Sequence, residues 1–252
     1  MALFEVQDLS IAFGGIRAVD GISFSVDSGS VFTIIGPNGA GKTTIFNLIS
    51  GILQPLAGRI VFDGREITRM PAHMVAKLGI GRTFQNIELF DNASVAQNIL
   101  VGHHARIKTN TFGEIFRLSS VVREEVAARQ RVEEIIDFLR LQRYRDTQVG
   151  GLSYGLRKMV EFGRALASEP RLLLLDEPSS GLNLAETDEV ASWIRDIRDA
   201  LGITVIMVEH DMRLVSAVSD RVMAVNYGRA LTVGTAAEVQ RHPAVVAAYL
   251  GA

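Results

Sequence analysis

The stretch GPNGAGKTT, Gly36 to Thr44, has the spacing G-x-x-x-x-G-K-[ST] and stands between the apolar run VFTII and the helical pattern IFNLIS. In that setting glycines let the backbone curl until its N–H groups face phosphate oxygens. Gly36, Pro37, Asn38, Gly39, Ala40, Gly41, Lys42, Thr43 and Thr44 are therefore the expected cradle. Lys42 reaches for the β- and γ-phosphates, and the Thr43 hydroxyl can ligate Mg²⁺. A loop of this kind between a strand and a helix predicts a bound nucleoside triphosphate with Mg²⁺.

The stretch LLLLDEP, Leu172 to Pro178, puts two carboxylates at the end of an apolar strand. At the carboxyl edge of a sheet, beside the phosphate loop, Asp176 can hold Mg²⁺ through water. Its neighbour Glu177 can accept a proton from an attacking water, the general-base role that hydrolysis needs. In IMVEHD, His210 stands just past another apolar strand and can hydrogen-bond a γ-phosphate and the water. In RTFQ, Gln85 can reach Mg²⁺ or water as an uncharged amide. A lone histidine or glutamine in such a place is ordinarily a loop residue, so both gain meaning only from the company of the phosphate loop. GLSYGLRKMVEFGRAL, Gly151 to Leu166, opens an amphipathic helix on a Ser-Tyr-Gly turn. Its free N–H groups and the positive end of its dipole make a second anion site.

The elements that must position these residues follow from periodicity. Residues 3 to 35 alternate apolar and polar, as at Ile22, Phe24 and Val26, and are broken by GG, DG and SG pairs expected to be turns of an antiparallel sheet. VFTII is apolar without alternation, as in a strand covered on both faces. Asp63 and Gly64 after GRIVF predict a hairpin. From about Ser94 to Ala167 the pattern turns helical, with Val132, Ile135, Ile136 and Leu139 on one face, which predicts an inserted subdomain. Beyond it RLLLL, a helix with Val190, Trp193, Ile194 and Ile197, the strand TVIMV and another helix alternate, as in a parallel sheet wrapped by helices.

Composition bounds the function. The chain has 252 residues, 48% of them hydrophobic, enough for one large domain with an insertion. A formal charge of −2 supplies no broad basic face, so no nucleic-acid partner is expected. The absence of cysteine removes disulfides, thiolate metal sites and thiol nucleophiles together. MALFEVQDLS lacks the layout of a signal peptide, and no apolar run approaches the ~18–20 residues that span a bilayer. Any membrane role must be played through a partner.

Phe13, GPNGAGKTT, Gln85, LSYGL, LLLLDEP, SGLN and His210 stand in the order found in the nucleotide-binding subunits of ATP-binding cassette proteins, which this chain resembles from Leu3 to the terminal AYLG. The resemblance implies an α/β fold: a P-loop NTPase (RecA-like) core with an N-terminal antiparallel β subdomain and an inserted α-helical subdomain. The divisions are 1–93 for the antiparallel sheet and first part of the core, 94–167 for the helical subdomain with the signature, and 168–252 for the rest. It implies ATP and Mg²⁺, with Phe13 stacked on adenine. It also implies head-to-tail pairing, in which Ser153 and the Gly155 backbone bind the γ-phosphate of the partner's ATP. The second anion site then serves the other subunit's nucleotide. Tyr154 and Leu156 depart from the commonest signature, LSGGQ, and Asn183 stands where aspartate is usual; weaker communication between the two sites is expected.

AFGGIRAV, GIGRTFQNIELF, VEHDM, NYGRALTVGT and HPAVVAAYLGA look like the ATPase subunit of importers for branched-chain and other hydrophobic amino acids. That likeness implies two membrane permeases, a sister ATPase or a second copy as dimer partner, and indirectly a substrate-binding protein. The expected location is the cytoplasmic face of the inner membrane, held by the permeases. A urea or amide importer, a lipid or lipopolysaccharide exporter, and a soluble cassette ATPase are the alternatives.

Overall fold

The structure is a computed structural model that describes residues 2–83, 87–103 and 119–250. It divides into two compact units, Met1–Gln85 with Arg171–Ala252, and Asn86–Pro170.

The first unit is built on two sheets. In the smaller, β1 (Ala2–Phe13) pairs antiparallel with β2 (Ile16–Asp27) and with β4 (Ala57–Phe62), and β4 pairs with β5 (Arg65–Glu66), giving the order β2-β1-β4-β5. The GG pair is the β1–β2 turn, and Asp63 and Gly64 both take positive φ between β4 and β5, as a tight hairpin requires. The DG pair at Asp20 and Gly21 is not a turn. Leu9 faces Ile22 while Ile11 faces Val19, so β2 carries one extra residue there, and Gly21 at φ 72° makes a bulge inside an unbroken strand.

The larger sheet runs β10-β9-β3-β8-β7-β6. Its strands are β3 (Val31–Ile35), β6 (Ile80–Arg82), β7 (Leu172–Asp176), β8 (Thr204–Val208), β9 (Arg221–Asn226) and β10 (Arg229–Gly234). All pairings are parallel except that of β9 with β10. Every residue of β3, β7 and β8 is buried, which is why these strands read as continuous apolar runs. Phe24 of β2 stacks on Phe32 of β3 with ring centroids 5.0 Å apart, joining the two sheets in one core. Around them lie α1 (Lys42–Ile49), α2 (Ala72–Lys77), α6 (Leu184–Asp199), α7 (Met212–Val218), α8 (Ala236–Arg241) and α9 (Pro243–Leu250).

The second unit is helical among its described residues: α3 (Val95–His103), α4 (Ser119–Phe138) and α5 (Tyr154–Leu166). Val132, Ile135, Ile136 and Leu139 are all buried, as their spacing requires. Gly163 sits so close to Ile99 that a Cβ there would lie 2.9 Å from its Cδ1, so α3 and α5 pack backbone to side chain at that point. No helix among the described residues is long and apolar enough to cross a membrane.

Candidate functional site

Parallel pairing brings the carboxyl ends of β3, β6, β7 and β8 to one edge of the larger sheet, and each continues into a residue with chemistry. After β3 comes the phosphate loop. Gly36 is seated so that a Cβ would fall 2.3 Å from the Val225 carbonyl oxygen, and Gly41, at φ 101°, would put one 2.4 Å from that of Ala18. Only glycine fits either position. No side chain caps α1, so its first N–H groups are left to a ligand. Lys42, only 6% exposed, donates from Nζ to the carbonyls of Gly36 at 2.7 Å and Pro37 at 3.1 Å, which holds the loop curled. Burial pulls the Lys42 ammonium below the usual lysine range, against the opposing pull of the Glu177 and Asp176 carboxylates.

After β7 come the two acids. Asp176 is buried and its Oδ2 lies 3.0 Å from Nη2 of Arg82, at the end of β6. Arg82 also donates to Asn47 Oδ1 at 2.9 Å and Ser50 Oγ at 2.7 Å, with its guanidinium 5.6 Å above the Phe46 ring. Burial draws Arg82 below the usual arginine range, while Asp176 acts to keep it charged. Glu177 takes φ 48°, a left-handed conformation costly for any residue with a Cβ, and its N–H donates to the Val208 carbonyl at 3.0 Å. After β8 comes His210, whose Nδ1 is 3.8 Å from a carboxylate oxygen of Glu177 and 3.8 Å from one of Glu209.

A cavity of about 460 Å³ is lined by the loop from Asn38 to Thr44, by Ala18 and by Glu177. A second, of about 430 Å³, lies between Gly36, Pro37, Asn38, Glu177, His210 and Tyr249. Phe13 ends β1 on the hairpin whose Ala18 lines the first cavity; it is 49% exposed and is not among the residues lining either cavity. Thr43 is exposed at the first turn of α1. Its hydroxyl and the Asp176 carboxylate, whose Oδ2 is here held by Arg82, are both oxygen donors of the kind Mg²⁺ takes one or two of beside phosphate and water. Among the described residues no group of three or more His, Cys, Asp or Glu forms a metal cage of its own.

Ser153 and Gly155 belong to the second unit. Ser153 is the N-cap of α5, but its Oγ is 3.4 Å from the Leu156 N–H, a long bond that leaves the helix opening polar and exposed. Gln85 lies outside the described residues. Asn183 caps α6: its Oδ1 accepts the Glu186 N–H at 3.1 Å while the Glu186 carboxylate accepts the Asn183 N–H at 2.9 Å. An aspartate could serve that cap equally well, so the local fold does not explain the choice of amide.

Three site residues escape a sequence reading. Arg82 stands in the quoted GIGRTFQ, but nothing local tells that its partner is Asp176, 94 positions on. Tyr249 comes from α9 to line the second cavity; burial pushes its hydroxyl up, and the backbone of Gly36 opposes that shift. Glu209, next to His210, is fully buried and binds the loop after Glu177, where only its place directly after an apolar strand could have marked it.

The comparisons with known proteins agree with one another. A family model described as ABC transporter matches residues 19–180, and one described as branched-chain amino acid ATP-binding cassette transporter matches 231–252. The chain is 39% identical over 249 residues, 99% of itself and 98% of the relative, to the high-affinity branched-chain amino acid transport ATP-binding protein BraF of Pseudomonas aeruginosa. To the protein of the same description, LivG, of Escherichia coli it is 35% identical over the same shares of both chains. Among solved structures, a nucleotide-free ATP-binding cassette from an ABC transporter is similar over 100% of both chains, with a TM-score of 0.87 and 30% identity. An ATP-binding cassette in its ADP conformation follows at 0.86 and 31%, again over 100% of both chains.

Proposed function

This chain belongs to the ABC transporter family, and from that membership we propose that it is the ATP-hydrolysing, energy-coupling subunit of an importer for branched-chain or other hydrophobic amino acids. The observation that carries the reading is the meeting of the phosphate loop, the Asp176–Glu177 pair and His210 at one sheet edge. The cargo rests on likeness to relatives named for that transport.

ATP is the substrate. The loop N–H groups and Lys42 hold its β- and γ-phosphates, and Phe13 stacks on its adenine. Thr43, Asp176 and Gln85 would hold Mg²⁺, which when bound supplies positive charge against the phosphate oxygens. Glu177 accepts the proton of the attacking water. His210, within reach of Glu177, hydrogen-bonds the γ-phosphate and orients that water. Ser153 and the Gly155 N–H serve the γ-phosphate of the ATP bound by the opposite subunit, so closure of a head-to-tail dimer completes each site. The opposite subunit is a sister ATPase or a second copy, docked at the cytoplasmic face on two permeases that a binding protein feeds. MgATP closes the dimer and hydrolysis reopens it.

The test is to isolate the tagged chain from gently solubilised membranes and identify what accompanies it by mass spectrometry. Two polytopic membrane proteins and a related ATPase are expected, with ATP turnover in the preparation. Only soluble companions would overturn the transporter reading. Within the site, Glu177→Gln is expected to keep MgATP binding and lower turnover by on the order of 10²-fold or more. Near-normal turnover would move the base elsewhere.

A further inference from the structure

We propose that Glu209 is a positioning residue that ties the loop after Glu177 to the loop of His210, so that base and histidine hold one shared geometry.

Glu209 follows the last residue of β8 and its side chain is 0% exposed. Its own N–H donates to the Ile34 carbonyl at 3.2 Å, next to the strand end from which the phosphate loop springs. One carboxylate oxygen accepts the Ser179 N–H at 2.8 Å and the Ser179 hydroxyl at 2.6 Å. The other accepts the N–H groups of His210 at 2.7 Å and Asp211 at 3.0 Å. Every one of these partners is a donor, so the place is matched by a group that only accepts. A glutamine amide would turn an N–H toward another N–H.

The carboxylate meets four donors that an apolar side chain would leave unpaired. The five residues of β8 before it are buried, so the charge is held by these hydrogen bonds rather than by water. What the carboxylate adds is register between the two loops beyond the last backbone bond that joins them, from the Glu177 N–H to the Val208 carbonyl. On one side is the turn from Glu177 to Asn183, closed by Ser180 N–H to the Glu177 carbonyl at 3.1 Å and Leu182 N–H to that of Ser179 at 3.1 Å. The turn then ends in the Asn183 cap of α6. On the other side His210 runs into Asp211, which caps α7 by accepting the Arg213 N–H at 2.8 Å. Arg213 in turn pairs with Asp188 of α6 at 2.8 Å, a second and exposed link between the same two helices. Glu209 is the buried link, and it sits between the residues read as base and as γ-phosphate contact. Through Glu209 the backbone at His210 is thereby coupled to Ser179, the residue just before the SGLN loop.

This inference rests on the roles proposed above for Glu177 and His210. The experiment measures kcat, KM, MgATP affinity with a fluorescent nucleotide, and thermal melting for the full chain carrying Glu209→Gln, Ser179→Ala, both together, or Glu177→Gln as control, each assayed in its membrane complex. A small misplacement of catalytic groups can cost about 10²-fold, so Glu209→Gln is expected to lower kcat at least about tenfold with KM and affinity within about threefold. Ser179→Ala should fall the same way by a smaller factor, and the double variant should be no worse than Glu209→Gln alone, because both remove one linkage. Should Glu209→Gln fail to fold, Ser179→Ala, which keeps its backbone bond, carries the test through the same split of kcat from KM. Wild-type kcat in a folded variant, losses that multiply in the double variant, or a change in KM alone would overturn the inference. Full turnover by Glu177→Gln would overturn the site reading instead.

Discussion

Replacing Arg82 by methionine removes the cation from the Asp176 pair while keeping a side chain of comparable length over Phe46. Both partners are nearly buried, at 9% and 4% side-chain exposure, so solvent does little to compensate the acid left behind. Breaking such a pair from one side costs about 3–5 kcal/mol. For a chain of this size each kcal/mol moves the melting temperature by about 2–4 °C, so Arg82→Met should melt about 6–20 °C below wild type without nucleotide or Mg²⁺. The loss is largely that of an uncompensated charge. Arg82→Met with Asp176→Asn should therefore recover at least half of it, which two unrelated lesions would not do. The assay is thermal unfolding followed by circular dichroism in a chelator, backed by urea denaturation. Melting within about 2 °C of wild type would refute the argument, and so would a double variant that is less stable than Arg82→Met.

Lys42→Ala removes a charge-assisted bond to phosphate, worth about 1.5–3 kcal/mol, and frees the carbonyls of Gly36 and Pro37. MgATP affinity should fall by about 10–100-fold or more in a fluorescent-nucleotide titration, and unchanged affinity would refute the placement of the loop. In the wild type the charged lysine is the form that binds, and its proton is lost earlier than from an exposed lysine, so affinity should decline as pH rises toward the ordinary lysine value. A series of titrations at rising pH checks the sign, and affinity that climbs with pH would count against it. Ser153→Arg should spare ATP binding by its own subunit and impair hydrolysis at the opposite one. Mixed dimers with one mutant subunit test this, and a loss confined to the mutant's own nucleotide would contradict head-to-tail pairing.

What could be read in advance was what is local. The phosphate loop needs its glycines within a few positions of one another, and VFTII and LLLLD carry their burial on both faces in their own composition. The face of Val132, Ile135 and Ile136 lies within one helix, with Leu139 in the turn directly after it. The Asp20–Gly21 pair misleads because a left-handed glycine serves a bulge as well as a turn, and only the register against β1 separates the two. Arg82, Glu209 and Tyr249 could not be assigned because each acts on a residue far along the chain, brought near by strand order rather than by spacing. The positive φ of Glu177 has no sequence signal, since the chain uses an ordinary residue where a glycine would be easier.

Strand order also sets the sequence of events during synthesis. The smaller sheet uses only residues 2 to 66, so it can pair soon after it leaves the ribosome. The strand that presents the phosphate loop cannot, because β3 lies between β8 and β9, whose last residue is Asn226. At about 5–20 residues per second, the loop waits roughly 10–40 s between its own emergence and that of its flanking strands. Within that interval the helical second unit is also completed, yet the nascent chain still has no rigid cradle for a triphosphate. Competence to bind nucleotide thus arrives last, and with it the whole central sheet.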